Sequence, residues 1–175
     1  VAKEFLPKGK QVCSLDISVT NPAIVQKLYH NKNHFGIAAD SFHLPFNDQS
    51  FDCVIASEIV EHVFDPAAFI KELFRVVKKE GSLIITTPYK EKLIYYLCIH
   101  CNQKTPANAH IHSFDEKKLL SLYQGSNLKS TDYYTFINKI TVHLRLHFFM
   151  KHFNIKGNPE ELEAGWRQQG TAWQG

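Results

Sequence analysis

The feature that most constrains this chain is a pair of almost continuously apolar runs, FDCVIAS at residues 51–57 and SLIITT at 82–87, separated by an Asp65-Pro66 helix start. Runs of this kind read as strands covered on both faces. Between them Phe69, Ile70, Leu73, Val76 and Val77 recur at helical spacing, which predicts one amphipathic helix. Lys78 and Lys79 suit its C-terminal dipole, and Gly81 is expected to terminate it. Parallel strands need a crossover, so strand, helix, strand in this order points to a parallel sheet.

The same unit recurs upstream. Residues 11–17 form a short apolar run ending in an acid, and Asn21-Pro22 supplies a helix cap and first-turn proline before Ile24, Val25 and Leu28. Residues 35–39 are a further strand closed by Asp40. Downstream, Ser113 and Glu116 have capping-box spacing for a helix carrying Leu119, Leu120 and Leu122, with Gly125 closing it, and residues 132–137 read as a strand. Segment 139–153 (KITVHLRLHFFMKHF) fits a helix and a strand equally, and its period does not decide. The expected fold is α/β and Rossmann-like, a mainly parallel sheet with helices on both faces. One domain is expected over 1–156, with 89–112 as a lid or insertion, and 157–175 is a polar tail without assignment.

The 175 residues allow one such core and not two ordinary domains. A net charge of +3, from 20 basic and 17 acidic residues spread along the chain, gives no argument for nucleic acid. Four cysteines, two of them inside apolar runs, do not resemble a secreted disulfide framework, so a reducing cytoplasm is the default expectation. No apolar stretch approaches a membrane span. For 139–153 the readings are core packing, cover over a binding site, or contact with a membrane surface, because basic residues punctuate an apolar segment.

In a doubly wound sheet, ligands bind beyond the carboxyl ends of the strands. Asp16 with Ile17, Asp40 with Ser41, and Ser57 with Glu58 stand at three such ends, the last of them immediately before the pair Glu61-His62. A carboxylate at the first of these ends suits a ribose diol. Cys98 and Cys101 form a CxxC, with His110 and His112 shortly after, which makes these four a candidate tetrahedral zinc set; free thiols and a lid histidine facing an acceptor are the alternative.

The pieces ADSFHLPF (39–46), NDQSFD (47–52), VIASEIVEHV (54–63) and FRVVKKEGSLIITTP (74–88) together resemble class I S-adenosylmethionine-dependent methyltransferases of the small-molecule type. The resemblance implies that Asp16 holds the cofactor ribose, that Asp40 and the Ser41 backbone meet the adenine, and that Ser57 and Glu58 line the methionine end. Methyl transfer needs alignment more than acid-base chemistry, because the sulfonium already activates the methyl group. If the acceptor must lose a proton, His62 is the candidate base. The family places a strand, a glycine-rich loop and a helix before its first acid-ended strand, and the fifteen residues before Asp16 cannot hold them; Gly9 stands alone. The fold is therefore expected to be N-terminally incomplete and the chain to bind S-adenosylmethionine weakly or not at all. Transfer to a small-molecule acceptor is the leading expectation, ahead of a non-catalytic binding module and a zinc-stabilised interaction module.

Overall fold

The computed structural model describes residues 1–123, 128–136 and 148–152. Its elements in chain order are α1 (Ala2–Phe5), β1 (Val12–Asp16), α2 (Thr20–Leu28), β2 (His34–Ala38), β3 (Phe51–Ser57), α3 (Pro66–Val76), β4 (Val77–Pro88), β5 (Tyr95–Leu97), β6 (Lys104–Pro106), α4 (Glu116–Ser121), β7 (Asp132–Phe136) and β8 (Phe148–His152). The architecture is the expected Rossmann-like α/β one. β1 and β2 pair in parallel, and so do β3 and β4. The second sheet extends in the order β3-β4-β8-β7, its last two pairings antiparallel. Among the described residues no strand ladder joins the β1-β2 pair to the four-stranded sheet.

Most of the core lies between α3, α4 and the β3-β4 pair. Phe69, Ile70 and Leu73 from α3 meet Leu83 and Ile85 from β4, with Phe114, Leu119 and Tyr123 closing the layer. Each fully buried large apolar side chain contributes about 1.5–3 kcal/mol. A smaller cluster of Ala2, Leu6 and Val12, flanked by Phe5 and Val25, holds α1 against β1 and α2. No helix among the described residues is long and apolar enough to cross a membrane.

Several local expectations change. Asn21 does not cap α2; its side-chain amide donates to Asp16 Oδ2 at 3.0 Å, and the helix begins at Thr20. α4 is capped by Asp115, which accepts from the Lys118 amide at 2.8 Å, not by Ser113, and Gly125 lies outside the described residues. Asp16 draws the Asn21 side chain away and leaves α2 without a side-chain cap, whereas Asp115, nearer to the start of α4, takes the capping role from Ser113. Of segment 139–153, residues 148–152 form a strand, β8, and the rest lies outside the described residues. Within segment 89–112, β5 and β6 make a small antiparallel hairpin.

Gly81 does not terminate α3. The helix ends at Val76, and Val77 turns extended to pair with Phe51. A Cβ on Gly81 would stand 2.8 Å from Val77 Cγ1, 2.9 Å from the Asp52 carbonyl oxygen and 3.0 Å from the Lys78 carbonyl oxygen. The glycine admits a close approach of β3 to β4 rather than a left-handed cap.

The loop from β2 to β3 is fastened to α3 through Arg75 and Glu72. Arg75 donates to Glu72 at 2.7 and 2.8 Å, to the carbonyls of Phe46 (2.8 Å) and Leu44 (3.0 Å), and to Asp48 (2.8 Å). Glu72 in turn accepts the Leu44 amide at 2.8 Å.

Two outcomes follow for unfolding in urea. Gly81→Asn, nearly harmless at a left-handed helix cap, is expected to cost about 1–3 kcal/mol here through overpacking. Arg75→Met is expected to lower the urea midpoint clearly, because it removes the donor shared by Glu72, Asp48 and two loop carbonyls, whereas Lys71→Met on the exposed side of α3 should leave the midpoint almost unchanged.

Candidate methyl-transfer site

The parallel register of β1 and β2 sets Asp16 opposite Ala38, and the Ala39 amide donates to the Asp16 carbonyl at 3.0 Å. Asp16 and Asp40 therefore leave the sheet at the same carboxyl edge. Each carboxylate is partly engaged by its own loop. Asp16 accepts the Ser18 amide at 2.8 Å as well as Asn21, and Asp40 accepts the Phe42 amide at 2.9 Å with His43 Nδ1 at 3.4 Å. The Phe42 amide holds the Asp40 carboxyl below the usual carboxylate range. A carboxylate has about four lone-pair sites, so both acids keep acceptor capacity for a polar ligand. Ile17 is exposed and Ser41 half-buried beside them.

Ser57 and Glu58 close β3 against β4. Ser57 Oγ lies 2.9 Å from Thr86 Oγ1, and the Glu58 amide donates to the Thr86 carbonyl at 3.0 Å. Glu58 adopts φ 52°, a left-handed conformation that strains a residue bearing a Cβ. Burial pushes its carboxyl up to about 7, the Thr86 hydroxyl draws it back, and neighbouring Glu61 raises it further.

One turn later Glu61 is buried at 1% exposure, a placement its apolar surroundings in the sequence did not announce. Thr87 Oγ1 donates to its Oε2 at 2.9 Å, while its Oε1 accepts no hydrogen bond. His62 Nε2 lies 3.9 Å from that Oε1. His62 Nδ1 faces the Ala109 carbonyl at 3.2 Å; a carbonyl can only accept, so Nδ1 carries the proton and the neutral ring keeps a lone pair on Nε2. His110 packs its ring on His62, centroids 4.7 Å apart, and its Nδ1 bonds Glu91.

The zinc set of Cys98, Cys101, His110 and His112 does not assemble. Both cysteines flank the hairpin turn, whereas the histidines follow its base, and three ladder pairs, Tyr95–Pro106, Tyr96–Thr105 and Leu97–Lys104, separate the two ends. At about 3.3 Å per residue that is about 10 Å, far beyond a shared zinc shell. His112 sends its amide to the Glu61 carbonyl at 3.2 Å and packs beside Phe114. The metal-competent group among the described residues is Glu61, His62 and His110, each offering one ligand atom with all three inside 4.8 Å. One carboxylate and two imidazoles, each imidazole oriented through its other nitrogen by a carbonyl or carboxylate, are a suitable donor set for a divalent cation.

Glu58 yields a pH-dependent outcome. Its carboxyl, pushed up to about 7 from the ordinary 4.5, holds an extra proton in the folded state between these values, so stability is lost as pH rises through that window. Glu58→Gln is therefore expected to stabilise the chain at pH 8 by about 1–2 kcal/mol, after allowance for partial exposure, and to change little at pH 5. Thermal unfolding at the two pH values reads this out.

Residues 1–85 match a family described as a methyltransferase domain. The chain is 28% identical over 159 residues to a mitochondrial ubiquinone biosynthesis O-methyltransferase of Dictyostelium discoideum, covering 77% of this chain and 49% of that protein. It is 33% identical over 89 residues to a ubiquinone biosynthesis O-methyltransferase of Rhodopseudomonas palustris, covering 50% of this chain and 35% of that one. The chain thus spans about half, or less, of these relatives. The fold is similar to that of a Burkholderia thailandensis 1,6-didemethyltoxoflavin N1-methyltransferase with bound S-adenosylhomocysteine, at TM-score 0.64 and 14% identity over 86% of this chain and 64% of that one. The acid-ended strands at one edge, the methyltransferase-domain match over residues 1–85 and the shared architecture together support reading this chain as similar to the class I S-adenosylmethionine-dependent methyltransferases.

Proposed function

We propose that the protein containing this chain transfers a methyl group from S-adenosylmethionine to an oxygen of a small-molecule acceptor. The observation that carries this reading is the register of β1 and β2, which brings Asp16 and Asp40 to one edge within the matched residues. In this reading Asp16 takes the ribose diol, Asp40 and the Ser41 backbone take the adenine, and Ser57 and Glu58 line the methionine end. The O-methyltransferase names of the relatives support an oxygen acceptor. His62 and Glu58 stand at the end of β3 as groups able to take the hydroxyl proton. A second arrangement is favoured by the partnerless Glu61 Oε1: a divalent cation on Glu61, His62 and His110 would acidify a bound hydroxyl.

Calorimetric titration with S-adenosylmethionine, on this chain and on one extended upstream, tests the reading. The extended protein is expected to bind, and Asp16→Ala and Asp40→Ala to weaken binding by about 10- to 100-fold each, the value of a hydrogen bond to a charged group. No heat from the extended protein would sink the enzyme reading in favour of a non-catalytic module. Transfer of a labelled methyl group to phenolic and other hydroxyl compounds, with and without added Mg²⁺ or Zn²⁺, then identifies the acceptor class and tests the cation.

A further inference from the structure

We propose that Cys98 and Cys101 form a reversible dithiol/disulfide centre at the tip of the β5-β6 hairpin that exchanges with low-molecular-weight disulfides. The Asn102 amide donates to the Cys98 carbonyl at 2.8 Å, and the Cys98 amide donates to the Gln103 carbonyl at 2.9 Å. The first of these bonds closes a single helix-like turn across residues 98–102. Side chains three apart on such a turn lie on one side with Cβ atoms about 5–6 Å apart, and a small torsional adjustment brings them to disulfide geometry.

The four cysteines of the chain divide into two kinds. Cys13 and Cys53 sit half-buried in β1 and β3, where burial pushes their thiols up. Cys98 receives hydrogen bonds from the amides of Cys101 and His100 and from the Cys101 thiol, which hold it below the ordinary thiol range. Cys101 is exposed beside it. Cys98 also lines a hollow of about 530 Å³ bounded by Tyr96, Leu97, Thr105 and Pro106, wide enough for a small thiol compound. The exposed Lys104, which opens β6 next to the tip, is favourable to an anionic disulfide such as oxidised glutathione.

The exchange runs in two displacements. The Cys98 thiolate attacks one sulfur of oxidised glutathione, the glutathione S–S bond breaks, and one glutathione thiolate leaves to take up a proton. The Cys101 thiolate, its proton released to water, then attacks the Cys98 sulfur of the mixed disulfide and expels the second glutathione. Two protein thiols and one glutathione disulfide thus give one protein disulfide and two reduced glutathiones. Cys98 is the attacking thiol and Cys101 the resolving one. The hairpin base is tied to the turn after β3 by the Ile111 and His112 amides on the Glu61 carbonyl, so oxidation at the tip acts on an element anchored beside that turn.

The experiment incubates the folded chain in glutathione buffers of graded redox ratio at pH 7, quenches it with acid, and digests it with trypsin after alkylation. Peptide 93–104 carries both hairpin cysteines, while Cys13 and Cys53 fall on peptides 11–27 and 33–71. Peptide 93–104 is expected to lose two hydrogens at ratios where the other two peptides remain reduced, and this selectivity should vanish in urea. Cys101→Ser is expected to trap glutathione on Cys98, and in that variant Cys98 should alkylate at least about tenfold faster than Cys53. Oxidation of all four cysteines in step, absence of the internal bond in 93–104, or failure of Cys101→Ser to trap glutathione on Cys98 would each overturn the proposal. None of these readouts depends on methyl transfer, so the two readings succeed or fail separately.

Discussion

The Arg75–Glu72 pair on α3 is the interaction on which the arrangement of the two sheets depends. No ladder among the described residues links β1-β2 to β3-β4, and the backbone ties the connection between β2 and β3 to α3 only at its end, through the Gln49 and Ser50 amides on the Arg75 and Val76 carbonyls. Arg75 fastens the earlier part with its planar fork, meeting two loop carbonyls and two carboxylates at once, and Glu72 returns a bond to the Leu44 amide. Charge-assisted bonds of this multiplicity hold a loop in one conformation, which a lysine's single ammonium would not reproduce. The segment leaving Asp40 is thereby fastened to the helix that covers β3 and β4. The edge carrying Asp16 and Asp40 and the start of β3 are two ends of one clamped connection.

Strain and unusual burial collect where β3 ends. Glu58 is left-handed, and Glu61 is buried with one oxygen partnerless. Thr86 and Thr87 at the end of β4 hold these groups from the side. A fold keeps such features only where surrounding packing overdetermines them, and the apolar layer of Phe69, Ile70, Leu83 and Ile85 supplies that constraint. The chemistry-bearing residues thus sit at the rim of the best-packed part of the chain. The hairpin after β4 differs: Tyr95, Tyr96, Leu97 and Ile99 are exposed, and it is anchored mainly at its base.

Family membership and activity rest on different supports. The acid-ended strands and the methyltransferase-domain match over residues 1–85 support the family likeness, while the relatives extend well beyond what this chain spans. A shared fold at 14% identity speaks for architecture alone. Function has to be argued from Asp16, Asp40, Glu58 and the Glu61–His62–His110 group.

The sequence by itself determined the alternation of strands and helices, the bounds of β3, the helix opened by Asp65-Pro66, and the acids at the carboxyl edge. These are legible because periodicity, capping and turn chemistry act over a few neighbouring residues. Only the tertiary structure decided what acts across distance. Gly81 serves a close strand approach because Asp52, twenty-nine positions earlier, lies against it. His110 turns to His62 and Glu91 instead of the cysteines because the hairpin ladder carries Cys98 and Cys101 away from its base. Glu61 becomes a buried, half-satisfied carboxylate because Thr87 on the adjacent strand donates to one oxygen and no described residue donates a hydrogen bond to the other. Local patterns set which element forms, but the partners of a polar side chain belong to whichever elements the fold brings alongside it.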